Sequence, residues 1–217
     1  MGKISNKITR YKECCHQNGK RLTFLIYYHK FKRKIFNRFF LGRSDTCIDS
    51  SSQLLGLKNI IIGTGFQTGK HFRIEAVTEY NGIKYLPRII IGDNVSFSDF
   101  GHVGATHYIK IGDNVLFGSK CYVTDHNHGN YRGDHASSPE IPPTKRNLTV
   151  DQKVIIEDNV WVGDGVTILP GVTIGRCAII GTNAVVTKNI PPYTICVGIP
   201  AKPVKKWDFE KKVWIKY

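Results

Sequence analysis

The sequence predicts an all-β fold, a parallel β-helix whose coils are built from six-residue repeats. Between Ile156 and Val186 an aliphatic residue occupies every sixth position. A period of six is a multiple of the two-residue period of a strand, so the repeat is compatible with strands. Three such six-residue sides close into one triangular coil only when the chain bends at regular corners. Four residues after each of the first five aliphatics comes a small or β-branched residue: Val160, Val166, Val172, Ala178 and Ala184. These residues are expected to fill the coil interior beside the larger side chains.

The same phase appears upstream, which sets the limits of the predicted β-helix at residues 55–190. The segments Ile91-Gly92-Asp93-Asn94-Val95 and Ile111-Gly112-Asp113-Asn114-Val115 repeat it closely, and Ile62-Gly63-Thr64-Gly65-Phe66 is a weaker copy. An ordinary β-sandwich is the alternative, but turn signals every six residues are too frequent for strands of about five to six residues. A chain of 217 residues needs no second domain beside this coil.

Residues 1–54 form a basic, aromatic N-terminal region. The formal net charge of the chain is +14, and residues 20–43 interleave lysines and arginines with aromatic and aliphatic residues. This pattern favours a helix that caps the first coil with an apolar face, and Phe31, Ile35 and Phe39 would share that face. The alternatives are peripheral contact with an anionic membrane through residues 20–43, and nucleic-acid binding. Nucleic acid is not expected as a partner.

Residues 191–217 form a C-terminal tail, because the consecutive prolines Pro191 and Pro192 lack backbone donors and are expected to end the coil. The six cysteines show no metal-type spacing, which is typical of reduced packing residues in a cytoplasmic protein. There is no signal peptide, and no apolar run approaches the roughly 18 residues that a membrane span requires. The predicted location is therefore cytoplasmic, with any membrane contact at the inner face.

The repeat lapses over residues 124–153, which are predicted to leave the coil as a long inserted loop. The loop begins Thr124-Asp125-His126-Asn127-His128-Gly129 and also contains His135, which is interpreted as a solvated loop residue. Two further histidines, His102 and His107, precede it in the coil. Loops of this length are usually functional or disordered. A rigid wall that supports a polar, histidine-bearing loop is a typical active-site arrangement.

Several motifs occur together in one order over residues 89–205, about half of the chain. They are Ile111-Gly112-Asp113-Asn114-Val115, the histidine loop, the stretch 160–175, the stretch 185–192, and Gly198-Ile199-Pro200-Ala201-Lys202. This series resembles the hexapeptide-repeat acyltransferases. Within them it is similar to the galactoside and maltose O-acetyltransferases and to the enzymes that acetylate capsule and O-antigen sugars. The resemblance implies a left-handed coil and a homotrimer with active sites between neighbouring subunits. It also implies acetyl-CoA as cosubstrate, and a sugar of a cell-surface polysaccharide or its precursor as acceptor.

In that family a histidine at the start of the insertion acts as general base, and the resemblance implies the same role here. Counting without gaps from the Ile-Gly-Asp-Asn-Val segment places this histidine at His128, with His126 as the competing choice. A neutral imidazole, with a pKa of about 6.5, can accept the proton of a sugar hydroxyl as that hydroxyl attacks the thioester. Asp125 is expected to orient one imidazole, and Ser98 and Asp99 are expected to face the acceptor from the previous coil.

The same resemblance implies a coenzyme A site along the coil. The residues that it assigns are Gly163, Asp164, Gly181 and Thr182 along the pantetheine arm, Thr187 and Lys188 at the nucleotide end, and Lys202 and Lys205 at the phosphates. Relatives often carry arginines at the last two positions, so the charge is kept here but the bidentate geometry is lost. Trp161 is expected to border the acyl groove or a subunit contact, which argues against a monomer.

A metal-dependent lyase similar to the γ-class carbonic anhydrases is the alternative enzyme on the same coil. His102 and His107, completed by His126 or His128, would give zinc three imidazoles and an open fourth position. Such a lyase would have no use for the histidine-bearing insertion or for the C-terminal motifs, so no metal is expected. A non-enzymatic scaffold that binds membrane or nucleic acid through residues 20–43 is the remaining alternative.

Overall fold

The computed structural model describes residues 9–39 and 41–217 in full, and residues 2–8 and Phe40 by their backbone alone. Met1, with which the predicted N-terminal region begins, and the side chain of Phe40 lie outside the described residues. Within residues 2–217, no helix combines the length and the apolar character that crossing a membrane requires.

One N-terminal helical region precedes a series of short strands joined by turns. That region consists of α1 (Gly2–Ile35) and a turn of π-helix at Phe36–Phe40. Turns of 3-10 helix lie at Leu57–Asn59 and Pro143–Lys145. The strands are, in chain order, β1 (Gln53–Leu55), β2 (Ile60–Ile62), β3 (Gln67–Thr68), β4 (Arg73–Ala76), β5 (Glu79–Tyr80), β6 (Ile83–Lys84), β7 (Arg88–Ile91), β8 (Ser96–Phe97), β9 (His102–Ala105), β10 (Tyr108–Ile111), β11 (Leu116–Phe117), β12 (Tyr122–Thr124), β13 (Val154–Ile156), β14 (Trp161–Val162), β15 (Thr167–Ile168), β16 (Thr173–Ile174), β17 (Ile179–Ile180), β18 (Val185–Val186), β19 (Thr194–Val197), β20 (Lys202–Asp208) and β21 (Val213–Lys216).

Three parallel sheets form the three walls of the coil. Wall 1 has the order β1-β4-β9-β12-β15-β18, wall 2 the order β2-β7-β10-β13-β16, and wall 3 the order β3-β8-β11-β14-β17-β19. Each strand pairs in register with the equivalent strand one coil later, as Ile109 of β10 pairs with Val154 of β13. The prediction of an all-β coil of parallel strands is confirmed.

The interior of the coil is aliphatic, as the six-residue period predicts. Each member of the series from Ile156 to Val186 is at most 1% exposed, and the small residues beside them are equally buried. The first coils contain an additional aromatic core that the repeat does not predict: Phe66, Phe72, Phe97 and Phe117. The rings of Phe97 and Phe117 stack in parallel with their centroids 4.0 Å apart.

Aspartates join successive coils at the corner between walls 2 and 3. The carboxylate of Asp93 accepts the backbone N–H of Thr64 at 2.6 Å, and that of Asp113 accepts the N–H of Asp93 at 2.8 Å. Asp158 does the same for Asp113 at 2.9 Å. The asparagines that follow adopt left-handed backbone: Asn94, Asn114 and Asn159. Asparagine tolerates that conformation better than most residues, so the Gly-Asp-Asn repeats are explained by the chemistry of the corner.

The helical region folds back on itself and is tied to the first coil at its C-terminal end. Gly19 has non-helical backbone (φ 74°, ψ 159°), and the rings of Tyr11 and Tyr27 meet edge to face at 5.1 Å. A continuous helix would separate those two rings by about 24 Å at 1.5 Å per residue. At the other end, the buried side chain of Asn37 donates to the carbonyl of Ile48 at 2.8 Å and accepts its N–H at 2.9 Å.

The helical face that contacts the coil differs from the predicted one. Phe31 and Phe39 are 62% and 75% exposed, whereas Phe36 packs against the core. The π-helical turn at Phe36–Phe40 changes the angular spacing of the side chains in this turn. Because the polar bonds of Asn37 fix that turn against the coil, Phe31 and Phe39 point away from it.

The inserted loop leaves wall 1 after Thr124 and returns at Val154, and its base is closed by backbone pairing. The N–H of Gly129 donates to the carbonyl of Asn147 at 2.9 Å, and that of Thr149 to the carbonyl of Asn127 at 3.0 Å. A second, smaller insertion at the same corner, the hairpin of β5 and β6, was not predicted. It touches the loop through the hydroxyl of Tyr80, which donates to the carbonyl of Thr144 at 2.9 Å.

The coil continues beyond the two prolines that were expected to end it. Strand β19 still pairs in parallel with β17, and only then does the antiparallel hairpin of β20 and β21 extend wall 3. Pro191 and Pro192 lie at a corner of the coil and not within a strand, where a missing N–H interrupts no ladder.

Candidate functional site

Asp125 is fully buried at the start of the insertion and organises the corner between walls 1 and 2. One carboxylate oxygen accepts the backbone N–H of Thr106 at 2.9 Å, and the other accepts those of His107 at 2.9 Å and Tyr108 at 2.7 Å. A buried carboxylate needs such donors to compensate for lost hydration. Asp125 is therefore a fixed hydrogen-bond acceptor that faces the ring of His126.

The imidazole of His126 is held by this carboxylate. Its Nδ1 lies 2.9 Å from Oδ1 of Asp125 and 3.3 Å from the hydroxyl of Thr124, and 12% of the side chain is exposed. A proton on Nδ1 is favoured by the facing carboxylate, which leaves the lone pair of the neutral ring on Nε2. The ring passes over Gly104, where a Cβ atom would lie 3.5 Å from its Cε1.

His102 reaches the same spot from the neighbouring strand. A Cβ atom on Gly104 would lie 3.7 Å from Nε2 of His102, and the ring of His102 stands 5.0 Å from that of Tyr122. Burial lowers the pKa of His102, and the positive charge of Arg73 lowers it further. Two imidazoles thus flank one glycine, and the environment of His102 favours its neutral form.

His128 lies at the rim of the same cleft and is exposed. Its ring meets that of Tyr80 edge to face at 5.2 Å, and its carbonyl accepts the hydroxyl of Tyr131 at 2.5 Å. The cleft has a volume of about 360 Å³, and its walls include all three imidazoles and the ion pair between Arg73 and Glu75.

His107 lies elsewhere, so the ligand set of the alternative lyase is not brought together. Its side chain lines a separate cleft of about 390 Å³ between the β5–β6 hairpin and the insertion. Among the described residues, no group of three His, Cys, Asp or Glu side chains has the arrangement of a metal site. His102 lies in wall 1, whereas His107 lies past the end of that strand, where the chain turns toward wall 2.

The residues predicted to face the acceptor lie at a different corner, between walls 3 and 1. Ser98 and Asp99 lie in the connection from β8 to β9, whereas Asp125 and His126 lie past the other end of wall 1, at the corner with wall 2. The carboxylate of Asp99 accepts the backbone N–H of Lys70 at 2.7 Å, a bond between coils like those of the other aspartate corner. Within one chain, the structure does not bring Ser98 or Asp99 to His126.

The predicted coenzyme A residues fall into three places. Gly163, Asp164, Gly181 and Thr182 share the corner between walls 3 and 1, where the carboxylate of Asp164 accepts the N–H of Ser119 at 2.5 Å. A Cβ atom on Gly163 would lie 2.7 Å from the backbone nitrogen of Thr182, so this glycine leaves room for the next coil.

The other predicted coenzyme A residues lie farther along the chain. Thr187 lines a cleft of about 180 Å³ beneath the insertion, together with Asn127 and Arg132. Lys188 is exposed beside Thr187, and Lys202 and Lys205 are exposed on β20. Their cofactor roles stay predictions.

The row of Arg73, His102 and Tyr122 is the part of the cleft that sequence reasoning did not assemble. These residues pair with one another across β4, β9 and β12. Each directly precedes an inward aliphatic residue of wall 1. This shared position in the six-residue repeat is the signal that could have placed the three residues side by side.

Comparison with known proteins identifies the family. Residues 153–188 match the family described as "Bacterial transferase hexapeptide (six repeats)", and residues 108–125 match "Hexapeptide repeat of succinyl-transferase". A protein of Escherichia coli (strain K12) named "Putative lipopolysaccharide biosynthesis O-acetyl transferase WbbJ" is 39% identical over 159 residues, which are 73% of this chain and 77% of that protein.

Solved structures share the fold at low sequence identity. AntD, an N-acyltransferase from Bacillus cereus in complex with dTDP and 3-hydroxybutyryl-CoA, has a TM-score of 0.62 at 19% identity, over 77% of this chain and 82% of AntD. The acetyltransferase domain of PglB from Neisseria gonorrhoeae has a TM-score of 0.50 at 14% identity, over 79% and 66%. These neighbours and the three parallel walls fit a left-handed β-helix. The chain belongs to the hexapeptide-repeat acyltransferases and is an acyltransferase.

Proposed function

We propose that this enzyme transfers the acetyl group of acetyl-CoA to a hydroxyl of a sugar, on a cell-surface polysaccharide or its precursor, with His126 as general base. The observation that carries the proposal is the bond between Nδ1 of His126 and the buried carboxylate of Asp125. It leaves Nε2 free to accept a proton in the cleft. His128, which the ungapped count favoured, is exposed at the rim and has no carboxylate partner among the described residues.

The reaction requires no covalent intermediate on the enzyme. As the sugar oxygen attacks the thioester carbon, its proton passes to Nε2 of His126, and the imidazolium that forms is stabilised by Asp125. When the tetrahedral intermediate collapses and the carbon–sulfur bond breaks, the same proton neutralises the departing thiolate. A neutral His102, kept so by burial and by Arg73, can position the acceptor hydroxyl without competing for its proton.

The nature of the substrates rests on the relatives. WbbJ carries the name of a lipopolysaccharide O-acetyl transferase. AntD has been solved with acyl-CoA, and a variant of it with coenzyme A and dTDP-4-amino-4,6-dideoxyglucose, a sugar nucleotide. We therefore assign coenzyme A to the predicted residues at the corner between walls 3 and 1, after β18 and on β20, and the sugar to the cleft that holds His126.

We propose a homotrimer in which a neighbouring subunit completes the site. The predicted pantetheine residues Asp164 and Thr182 lie at another corner of the same chain than His126, so a second copy has to supply that corner to the cleft. Trp161 and Leu116, which pair on neighbouring strands of wall 3, are both about half exposed and offer an apolar contact surface.

The N-terminal region and the location of the enzyme complete the proposal. We propose that the C-terminal end of the helical region caps the first coil, because Phe36 and Asn37 contact that coil. A cytoplasmic location is supported by the six free cysteines.

The test offers acetyl-CoA with a panel of sugars, nucleotide sugars and lipid-linked glycans, and asks by mass spectrometry which product gains an acetyl group on oxygen. With the acceptor found, His126→Asn should lower turnover by about 10²–10⁴-fold, whereas the matched His128→Asn should stay within a few-fold of wild type. Loss in His128→Asn alone would move the base to His128. Full activity in both variants would refute the histidine mechanism.

A further inference from the structure

A strongly basic cavity lies between the end of the helical region and the first coil, and it shares no lining residue with the cleft that holds His126. Its volume is about 390 Å³, which is within the range of small-ligand sites. Five cationic side chains line it: Lys30, Arg33, Lys34, Arg38 and Arg43. The remaining lining is polar or small, from Asn37, Ser44, Thr46 and Cys47.

The positive charge of this cavity is only partly neutralised by the protein. Arg33 pairs with Asp49 at 3.1 Å and Arg43 pairs with Asp45, and these two aspartates are the only acidic residues between positions 14 and 74. Lys30, Lys34 and Arg38 have no carboxylate partner among the described residues. In addition, Nε of Arg33 is buried and has no hydrogen-bond partner among the described atoms. Three cations and one buried donor are thus left for an anion.

Exposed aromatic rings lie on the same helical region as these cations. Phe31 follows Lys30 in the chain and Phe39 follows Arg38, and both rings are more than half exposed. Phe24 is also 65% exposed on the same helical region. Exposed aromatic side chains beside cations are typical of segments that lie in the interface of an anionic membrane.

We propose that this cavity binds the phosphate of an anionic membrane lipid, with Phe31 and Phe39 inserted at the interface. The cations supply the charge complementarity, and the arginines add donors suited to phosphate oxygens. Single-stranded nucleic acid fits less well because, among the residues whose side chains are described, no aromatic ring lines the cavity, so they offer bases no platform on which to stack. The inference does not depend on the proposed acetyl transfer.

The experiment is co-sedimentation of the full-length chain with phosphatidylcholine vesicles, with and without phosphatidic acid, at constant ionic strength. Wild type should bind only the vesicles that contain phosphatidic acid. Lys34→Ala combined with Arg38→Ala should weaken binding about 30-fold, as expected for two cations lost from the membrane surface. The matched control, Lys58→Ala combined with Lys211→Ala, removes two exposed cations elsewhere and should change binding by less than about twofold.

Two further measurements distinguish specific binding of phosphate in the cavity from general electrostatic attraction of the basic chain to the anionic vesicle. Pyrophosphate should displace the chain from vesicles at concentrations where sodium chloride of equal ionic strength does not. Phe39→Ser should weaken vesicle binding but leave pyrophosphate binding, measured by calorimetry, unchanged. Equal losses in the cavity and control variants, or equal displacement by sodium chloride, would overturn the proposal. So would binding of a thymidine oligonucleotide that needs the same cations while vesicles fail to bind.

Discussion

Replacement of Asp125 by asparagine should cost far more stability than the loss of one charge suggests. Each carboxylate oxygen of Asp125 faces at least two donors: Oδ1 faces Thr106 and His126, and Oδ2 faces the N–H groups of His107 and Tyr108. An asparagine amide has only one acceptor oxygen. Its NH₂ group confronts either the N–H groups of His107 and Tyr108, or the N–H of Thr106 beside Nδ1 of His126, which becomes an acceptor when the ring changes its tautomer. Leaving one or two buried donors unpaired at about 1–3 kcal/mol each gives a loss of about 1–6 kcal/mol in the free energy of unfolding.

Asp113→Asn is the matched control, because the carboxylate of Asp113 is exposed and accepts one backbone N–H through one oxygen. Its amide oxygen can keep that bond, so the expected change is within about 0.5 kcal/mol. Urea unfolding of both variants, followed by circular dichroism, gives the comparison. Equal stabilities of the two variants would refute the view that Asp125 is an obligatory acceptor. Acetyl transfer by folded Asp125→Asn should also fall, since His126 loses the carboxylate that orients it.

Three more outcomes are expected. The folded state lowers the pKa of His102, so it binds fewer protons there than the unfolded chain, and stability should fall as pH drops below about 6.5. Relative to His102→Gln, wild type should lose at most about 1.4 kcal/mol per pH unit between pH 7 and 5 in thermal melts; a constant difference would contradict this. Gly163→Ala should lower the free energy of unfolding in urea by about 1–3 kcal/mol, because the new Cβ meets the backbone of Thr182, and an unchanged midpoint would count against it. Trp161→Ser should reduce the mass found by light scattering from that of a trimer to that of a monomer, and a persistent trimer would remove Trp161 from the interface.

The part of this fold that could be predicted is the part that repeats. The six-residue series from Ile156 to Val186 fixes which residues point inward, since each six-residue side of the coil places its aliphatic residue in the one shared interior. The β5–β6 hairpin was not predicted because it lies outside the coil and its residues do not follow the six-residue period. The missing N–H of Pro191 predicts the end of the coil, but this prediction is wrong because the residue lies at a corner, where no ladder hydrogen bond is lost.

The candidate site shows the same division between local and spatial information. The sequence pointed to Asp125, His126 and His128 because they are neighbours in the chain. It could not choose between the two histidines, because the choice depends on which ring the chain turns toward Asp125 at the corner. His102 was attached to the wrong partner, His107, because spacing along the chain ignores the bend between walls 1 and 2.

The closed base of the insertion has a consequence for how such enzymes can diversify. Residues 124–153 leave and re-enter the coil at one corner, while β12 and β13 keep their register with the coils on either side. Beyond the backbone pairs at its neck, the loop can lengthen, shorten or be exchanged as a cassette without disturbing a single rung. Under the proposed function, new acceptor preferences can therefore arise by recombination in this segment alone, while the coil that we assign to coenzyme A is inherited intact.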